Sequence, residues 1–130
     1  ANGGRVMKPY VVQEVVASDG QVVRTTRPEQ WLEATGAATA DQLNVMMQRV
    51  VTSGTATAAA LEGIEVAGKT GTAEKGDGTN LAWFIGFAPA DDPRVAVAVV
   101  VEDTLSTGGE AAAPLAAAVL KAALTQTDLP

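Results

Sequence analysis

The chain has 130 residues, 47 % of them hydrophobic, with 9 Lys and Arg against 15 Asp and Glu, for a formal charge of −6. This length suits one globular domain, or part of one, and the acidic balance without any basic run repels nucleic acid and anionic membranes rather than steering them in. There is no cysteine and no histidine, which removes thiolate chemistry, disulfides, Ser-His-Asp and Cys-His mechanisms and the usual zinc sites; a nucleophile here needs a lysine or carboxylate helper.

Taken in chain order, Ala1 to Tyr10 is glycine-bearing and polar and does not read as a signal peptide. Tyr10 to Val16 and Gln21 to Thr26 are β-rich runs separated by Ala17-Ser18-Asp19-Gly20, a strong hairpin signal. Pro28 to Ala38 is mixed and expected to be irregular, with Trp31 and Leu32 as packing anchors, so that 1–38 forms a hairpin plus irregular segment. Thr39-Ala40-Asp41-Gln42 has the form of a capping box, and Leu43, Met46, Met47 and Val50 follow at helical spacing. A helix is expected over 39–54, stopped by Gly54. Ser53 to Gly63 is a small-residue connector, open between a loop and a short helix at Ala58 to Leu61.

Three strand candidates follow, Glu65 to Ala73, Leu81 to Ala88 and Arg94 to Glu102, joined by the turn-rich "EKGDGTN" and "PADDP". Connections this short suit antiparallel neighbours, since a parallel pair needs a crossover of about a dozen residues. The expectation is a meander over 64–102. The segment 111–125 ends in a helix, Ala113 to Leu124, with Pro114 in its first turn and Leu115, Ala118, Val119 and Ala122 on one stripe; its alanine face would lie close on a sheet. Thr125 to Pro130 reads as a tail. The longest apolar stretches, Val95 to Val101 and Ala111 to Leu120, fall short of the roughly 20 residues a spanning helix needs.

Gly63 to Glu74, "GIEVAGKTGTAE", admits two chemistries. Gly63, Gly68, Lys69 and Thr70 satisfy the G-x-x-x-x-G-K-[ST] phosphate loop, and "VAVAVVVED" could be the hydrophobic strand whose acid holds magnesium. A phosphate loop must launch a helix at its lysine. Here the loop would contain β-branched Ile64 and Val66, and the helix would carry Gly71, Gly76 and Gly78 at about 1 kcal/mol each. Extended backbone through Lys69 to Thr72 is the better expectation.

On a strand bordering a cleft, Gly71 lets a ligand approach the backbone and Thr70 and Thr72 offer hydroxyls. Lys69 adds positive potential, and a free N–H at Thr72 could serve a developing oxyanion. The plain alternative is an ordinary edge strand with a surface lysine. Glu74 reads as a rim charge or a contact near the cleft mouth, and Trp83 and Phe84 must face opposite ways, chiefly as core. Glu102 and Asp103 raise a metal site but have no further converging ligands, so neither metal nor cofactor is expected. Thr104 to Gly109 could be a mobile loop.

The Lys69-Thr70-Gly71 box followed by Thr72-Ala73 resembles the K-T-G signature of penicillin-binding transpeptidases and serine β-lactamases. With "ANGG" at Ala1 to Gly4, "VVTSGTA" at Val50 to Ala56, "WFIGFAP" at Trp83 to Pro89 and "AAAP" at Ala111 to Pro114, essentially the whole chain is similar to the C-terminal part of a class B penicillin-binding protein. The nearest likeness is the actinobacterial penicillin-binding protein A type, a cell-division and cell-shape enzyme. The resemblance implies an α+β fold whose meander is part of a five-stranded antiparallel sheet covered by helices. It implies D,D-transpeptidase activity on peptidoglycan through a serine acyl-enzyme, with β-lactams binding at the same place. Lys69 would then belong to the polar network around the nucleophile, Thr70 and Thr72 would hold a carboxylate, Gly71 would leave room, and the Thr72 N–H would be an oxyanion donor. It also implies a membrane-anchored domain on the extracytoplasmic side, with cell-division proteins as possible partners.

The sequence departs from that pattern in lacking Ser-x-x-Lys and Ser-x-Asn: Ser18, Ser53 and Ser106 are followed at the third position by Gln21, Ala56 and Gly109. Thr72 to Lys75 fits Thr-x-x-Lys but runs from a strand into a turn. Arg94 to Glu102 is apolar on both faces, which suits a central, covered strand, yet a meander leaves it at an edge. Either the first hairpin or a strand from elsewhere must pair with it. The reading is a C-terminal piece of a larger domain, inactive alone, whose partner is the serine-bearing remainder. Rival functions are a D,D-carboxypeptidase or β-lactamase of the same fold, a nucleotide-binding protein, and a non-catalytic module recognising peptidoglycan or a division protein.

Overall fold

The structure, a computed structural model, describes residues 1–126; the expected tail lies, from 127 on, outside the described residues. The chain divides into two compact units, Asn2–Ala40 and the part from Asp41 onward, the latter also taking in Ala1.

The first unit contains more pairing than its sequence suggests. Strands β1 (Arg5–Met7) and β4 (Gln30–Glu33) pair antiparallel, with Val6 opposite Leu32, so part of the stretch expected to be irregular is a strand. Strands β2 (Glu14–Val16) and β3 (Val22–Thr25) form the hairpin signalled by Asp19-Gly20. Its turn places Gly20 at φ +85, which glycine adopts without strain, and the Asp19 carboxylate accepts from the Gln21 N–H at 3.0 Å. Every residue of these four strands is exposed, Trp31 to 63 %. Trp31 and Leu32 are therefore not packing anchors within this chain, because so short a segment has too little apolar surface to close a core.

Helix α1 (Ala37–Ser53) opens two residues before the expected Thr39 cap, with the Gly36 carbonyl accepting from the Thr39 and Ala40 N–H groups. Of the expected stripe, Met47 and Val50 pack inward while Leu43 and Met46 are about half exposed. The inward face is Asn44, Met47, Gln48 and Val51, a rotated i, i+3, i+4, i+7 set. Asn44 belongs to it because its side-chain amide donates to the Ala90 carbonyl at 2.7 Å, tying the helix to the turn between two strands. The connector after the helix holds one 3-10 turn, Thr57–Ala59.

Strands β5 (Ala67–Glu74), β6 (Asn80–Ala88) and β7 (Val95–Thr104) form an antiparallel meander in the order β5-β6-β7. A one-turn π-helix, Gly108–Ala112, leads into helix α2 (Ala113–Thr125), with Pro114 in its first turn. One sheet face carries the core: Phe84 and Leu120 are its largest fully buried side chains, with Ala112, Ala113, Ala116, Val51 and Val66 around them. On α2 the buried residues are Ala113, Ala116 and Leu120, whereas Leu115 and Val119 of the expected stripe are half exposed. The small side chains turn to the sheet because they allow the closest approach of backbone to backbone. On β7, Val95, Val97, Val99 and Val101 pack on the core while Ala96, Ala98 and Val100 are exposed. Among the described residues β7 pairs with β6 alone, and β2 and β3 pair with each other.

Candidate active-site edge

The backbone is extended through Lys69-Thr70-Gly71-Thr72, inside β5. Gly63, at φ +73, belongs to a separate turn before the strand, and no helix opens at Lys69. Gly76 and Gly78, at φ +79 and +88, lie in the following turn, where Asp77 accepts from the Thr79 N–H at 2.9 Å and hydroxyl at 2.6 Å. The phosphate-loop reading is thereby corrected: β-branched residues before the lysine and glycines after it favour a strand and a turn.

The register fixes where the backbone groups of β5 point. The Lys75 N–H donates to the Thr79 carbonyl at 2.9 Å, and the pairs Ala73–Leu81, Gly71–Trp83 and Lys69–Ile85 follow in unbroken register. Bonded pairs alternate with non-bonded ones in an antiparallel ladder. Lys69, Gly71 and Ala73 therefore bond to β6, and the N–H and C=O groups of Thr70 and Thr72 face the open edge of the sheet. The Lys69 ammonium reaches that edge too, donating to the Thr70 carbonyl at 2.6 Å.

Side chains alternate across the sheet. Lys69 and Gly71 lie on the face of Trp83 and Ile85, which are 40 % and 50 % exposed, opposite the face of buried Phe84. A Cβ on Gly71 would meet nothing closer than Trp83 Cβ at 3.4 Å, so the glycine is not demanded by packing within this chain and leaves a bare patch of backbone. Thr70 and Thr72 lie on the other face, each with a partner. Thr70 Oγ1 is 2.6 Å from Thr55 Oγ1, and Thr72 Oγ1 accepts from the Gly108 N–H at 3.2 Å. Each hydroxyl carries one hydrogen. The Thr72 hydrogen stays available, as does one of the two in the Thr55–Thr70 pair. The Lys69 ammonium, from the opposite face, adds a further donor at the same edge.

Thr55 and Gly108 escaped the sequence reading. Thr107-Gly108-Gly109-Glu110 has the capping-box spacing that could have found the second of them: the Glu110 carboxylate accepts from the Thr107 N–H at 2.9 Å and hydroxyl at 3.0 Å. At the end of the segment expected as a mobile loop Gly108 packs on the sheet and Gly109 on Thr55, while Leu105 within it is exposed. A Cβ on Gly108 would stand 2.2 Å from the Trp83 carbonyl oxygen and 2.5 Å from that of Gly71, and one on Gly109 would stand 2.1 Å from the Thr55 carbonyl. Thr55 falls within the "VVTSGTA" likeness, but the segment assigns it no role, since its partner lies across the fold.

The remaining charges are peripheral. Lys75 pairs with Asp103 and, at 3.6 Å, with Asp77; its ammonium pKa is raised above 10.5, chiefly by the hydrogen bond to Asp103. Asp103 is thus engaged by a lysine, and among the described residues no group of three or more His, Cys, Asp or Glu is placed to hold a metal. Glu74 is exposed at the end of β5, opposite Asn80.

The Thr107 N–H, then its hydroxyl, hold the Glu110 carboxyl below its ordinary value of 4.5. A group with a lowered folded pKa contributes stability above its unfolded pKa and loses it as the pH falls through the folded one. Acidification from pH 7 to below that point should lower the protection of the Thr107 amide, read as its exchange rate relative to the intrinsic rate at the same pH. In Glu110→Gln that protection should lose its acid dependence.

The penicillin binding protein transpeptidase domain family matches residues 1–121. The chain is 44 % identical over 137 aligned residues to the peptidoglycan D,D-transpeptidase PbpA of Mycolicibacterium smegmatis, a match covering 97 % of this chain and 27 % of that protein. The D,D-transpeptidase domain of a peptidoglycan glycosyltransferase from Eggerthella lenta superposes with a TM-score of 0.86 at 43 % identity, over 99 % of this chain and 30 % of that one. Penicillin-binding protein A from M. tuberculosis, as a ceftriaxone acyl-enzyme complex, superposes at 0.87 with 40 % identity, over 95 % of this chain and 29 % of that one. The chain thus spans between a quarter and a third of the length of these relatives.

Proposed function

The chain belongs to the penicillin-binding protein transpeptidase domain family, and from that premise we propose that it supplies one wall of the active-site cleft of a peptidoglycan D,D-transpeptidase. The observation that carries the reading is the extended Lys69-Thr70-Gly71-Thr72 strand at an open sheet edge, with the Thr72 N–H facing outward. In this reading a serine on the remainder of the domain attacks the carbonyl carbon of the penultimate D-alanine of a stem peptide. The terminal D-alanine leaves, and an amine on a neighbouring stem takes the acyl group from the serine. The Thr72 N–H donates to the oxyanion of each tetrahedral intermediate. Lys69 holds positive charge beside the serine's polar network, Thr70 and Thr72 donate to the terminal carboxylate of the stem or of a β-lactam, and Gly71 lets the acyl chain lie along the strand.

Further parts of the proposal concern the surroundings. The edge of β7 pairs with a strand from outside these 130 residues, which satisfies its free backbone groups. The domain works on the extracytoplasmic side, held to the membrane by a segment other than those described here, none of whose helices is long and apolar enough to cross a membrane. Cell-division proteins are its partners there.

A fluorescent penicillin tests the core of the reading. The 130 residues alone should not be labelled, because the sequence contains no Ser-x-x-Lys. The full-length protein carrying this chain should be labelled at a serine outside it, and the label should survive denaturation as a covalent adduct. Labelling of the isolated chain, or none in the full-length protein, would overturn the proposal.

A further inference from the structure

Thr55 sits 14 positions before Lys69 in the sequence, in the connector that follows α1, and no chemistry attaches to it by motif. The fold nevertheless brings its hydroxyl to 2.6 Å from Thr70 Oγ1. We infer that Thr55 is a positioning residue for the carboxylate-binding step, setting the Thr70 hydroxyl to donate toward the open edge of β5. The inference rests on the transpeptidase reading above and deepens it.

A threonine hydroxyl has one hydrogen and can rotate, so a lone Thr70 could spend that hydrogen on a neighbouring carbonyl as readily as on a ligand. A hydroxyl donating into Thr70 Oγ1 removes that freedom. It occupies an oxygen lone pair, leaves the Thr70 hydrogen to point elsewhere, and polarises the O–H so that it becomes a stronger donor. Thr55 has no other side-chain hydrogen bond among the described residues, so its own hydrogen is available for this task. Thr72 shows the same arrangement built from backbone: the Gly108 N–H donates into Thr72 Oγ1, which directs the Thr72 hydrogen outward as well. Two hydroxyls two residues apart on one strand face thus each meet a polar group from another part of the chain, Thr72 as an acceptor and Thr70 as partner to a second hydroxyl.

The position of Thr55 is itself fixed. Gly109 packs so closely on it that a Cβ there would come within 2.1 Å of the Thr55 carbonyl oxygen, and the neighbouring Ala56 N–H donates to the Val50 carbonyl at 3.0 Å, anchoring the connector to the end of α1. The Thr55 hydroxyl is thus presented by a held backbone rather than by a free loop.

The test uses the full-length protein and the second-order rate of acylation by labelled benzylpenicillin and by its methyl ester, whose carboxylate is masked. Thr55→Val keeps the branched shape and removes the hydroxyl. It is expected to slow acylation by the free acid roughly tenfold, the size of one hydrogen bond reaching a charged group. Thr55→Ser should stay within about twofold of wild type, since it restores the donor. With the ester, wild type and Thr55→Val should react at the same rate, because the interaction being tuned is gone. A structural role would slow both substrates alike, so equal losses with acid and ester would overturn the inference, as would an unchanged rate with the acid. Thr55→Ala is the second variant should Thr55→Val fail to fold, with the same pattern required of it. A wild-type protein that no penicillin labels would instead sink the transpeptidase reading on which this one stands.

Discussion

Phe84→Ala is expected to destabilise the fold by about 3–5 kcal/mol, measured as a lowered midpoint in urea, the range for core aromatics. Phe84 is fully buried and central to the larger core cluster. Its ring lies over two glycines on the sheet: a Cβ on Gly68 would stand 2.4 Å from Phe84 Cζ, and one on Gly86 2.8 Å from Phe84 Cε1. Neither neighbour has a side chain that could relax into the space, so the cavity stays open. The same geometry makes a coupled prediction. In wild type Gly68→Ala forces its methyl into the ring and costs about 1–3 kcal/mol. In the Phe84→Ala background most of that clash is removed, and the Gly68→Ala substitution should be close to neutral or stabilising. Additivity of the two single effects would show that the ring and the glycines do not share one packing problem.

How far the sequence foretold this arrangement depended on whether the deciding contact was local. The β5-β6 hairpin was legible because Gly76, Asp77 and Gly78 impose a turn whatever surrounds them, and Lys69 to Thr72 was legible as a strand because Ile64 and Val66 before it and the glycines after it disfavour a helix. The stripes on the helices were not. Both α1 and α2 carry apolar residues on more than one side, and periodicity alone cannot tell which side meets the sheet. On α2 close approach selected the alanines over Leu115 and Val119; on α1 two amides, Asn44 reaching the Ala90 carbonyl and Gln48 donating to Asn44, lie on the inward face that a hydrophobicity count would reject. Strands β1 and β4 are three and four residues long and pair across more than twenty intervening positions, too short for a period to register. Thr55 is the sharpest case, since its partner is fixed only by the fold.

Thr72→Pro is expected to slow penicillin acylation of the full-length protein by about 10²–10³ beyond the loss seen in Thr72→Val, the range for removing one oxyanion donor. The comparison isolates the N–H. Both substitutions remove the hydroxyl and with it the bond from the Gly108 N–H, so those losses are common to the two variants. Only proline also removes the backbone hydrogen at the open edge. Proline is usually disruptive in a sheet because it deletes a ladder bond. At Thr72 the register directs the N–H away from β6, so no ladder bond is lost, and the preceding residue, Gly71, has no Cβ to clash with the proline ring. The variant should therefore keep a melting temperature near that of Thr72→Val while losing its reactivity. Equal acylation rates in the two variants, with both folded, would mean that the Thr72 N–H takes no part in the chemistry. A Thr72→Pro protein that unfolds while Thr72→Val does not would mean that the N–H is spent inside the sheet and that the assigned register is wrong.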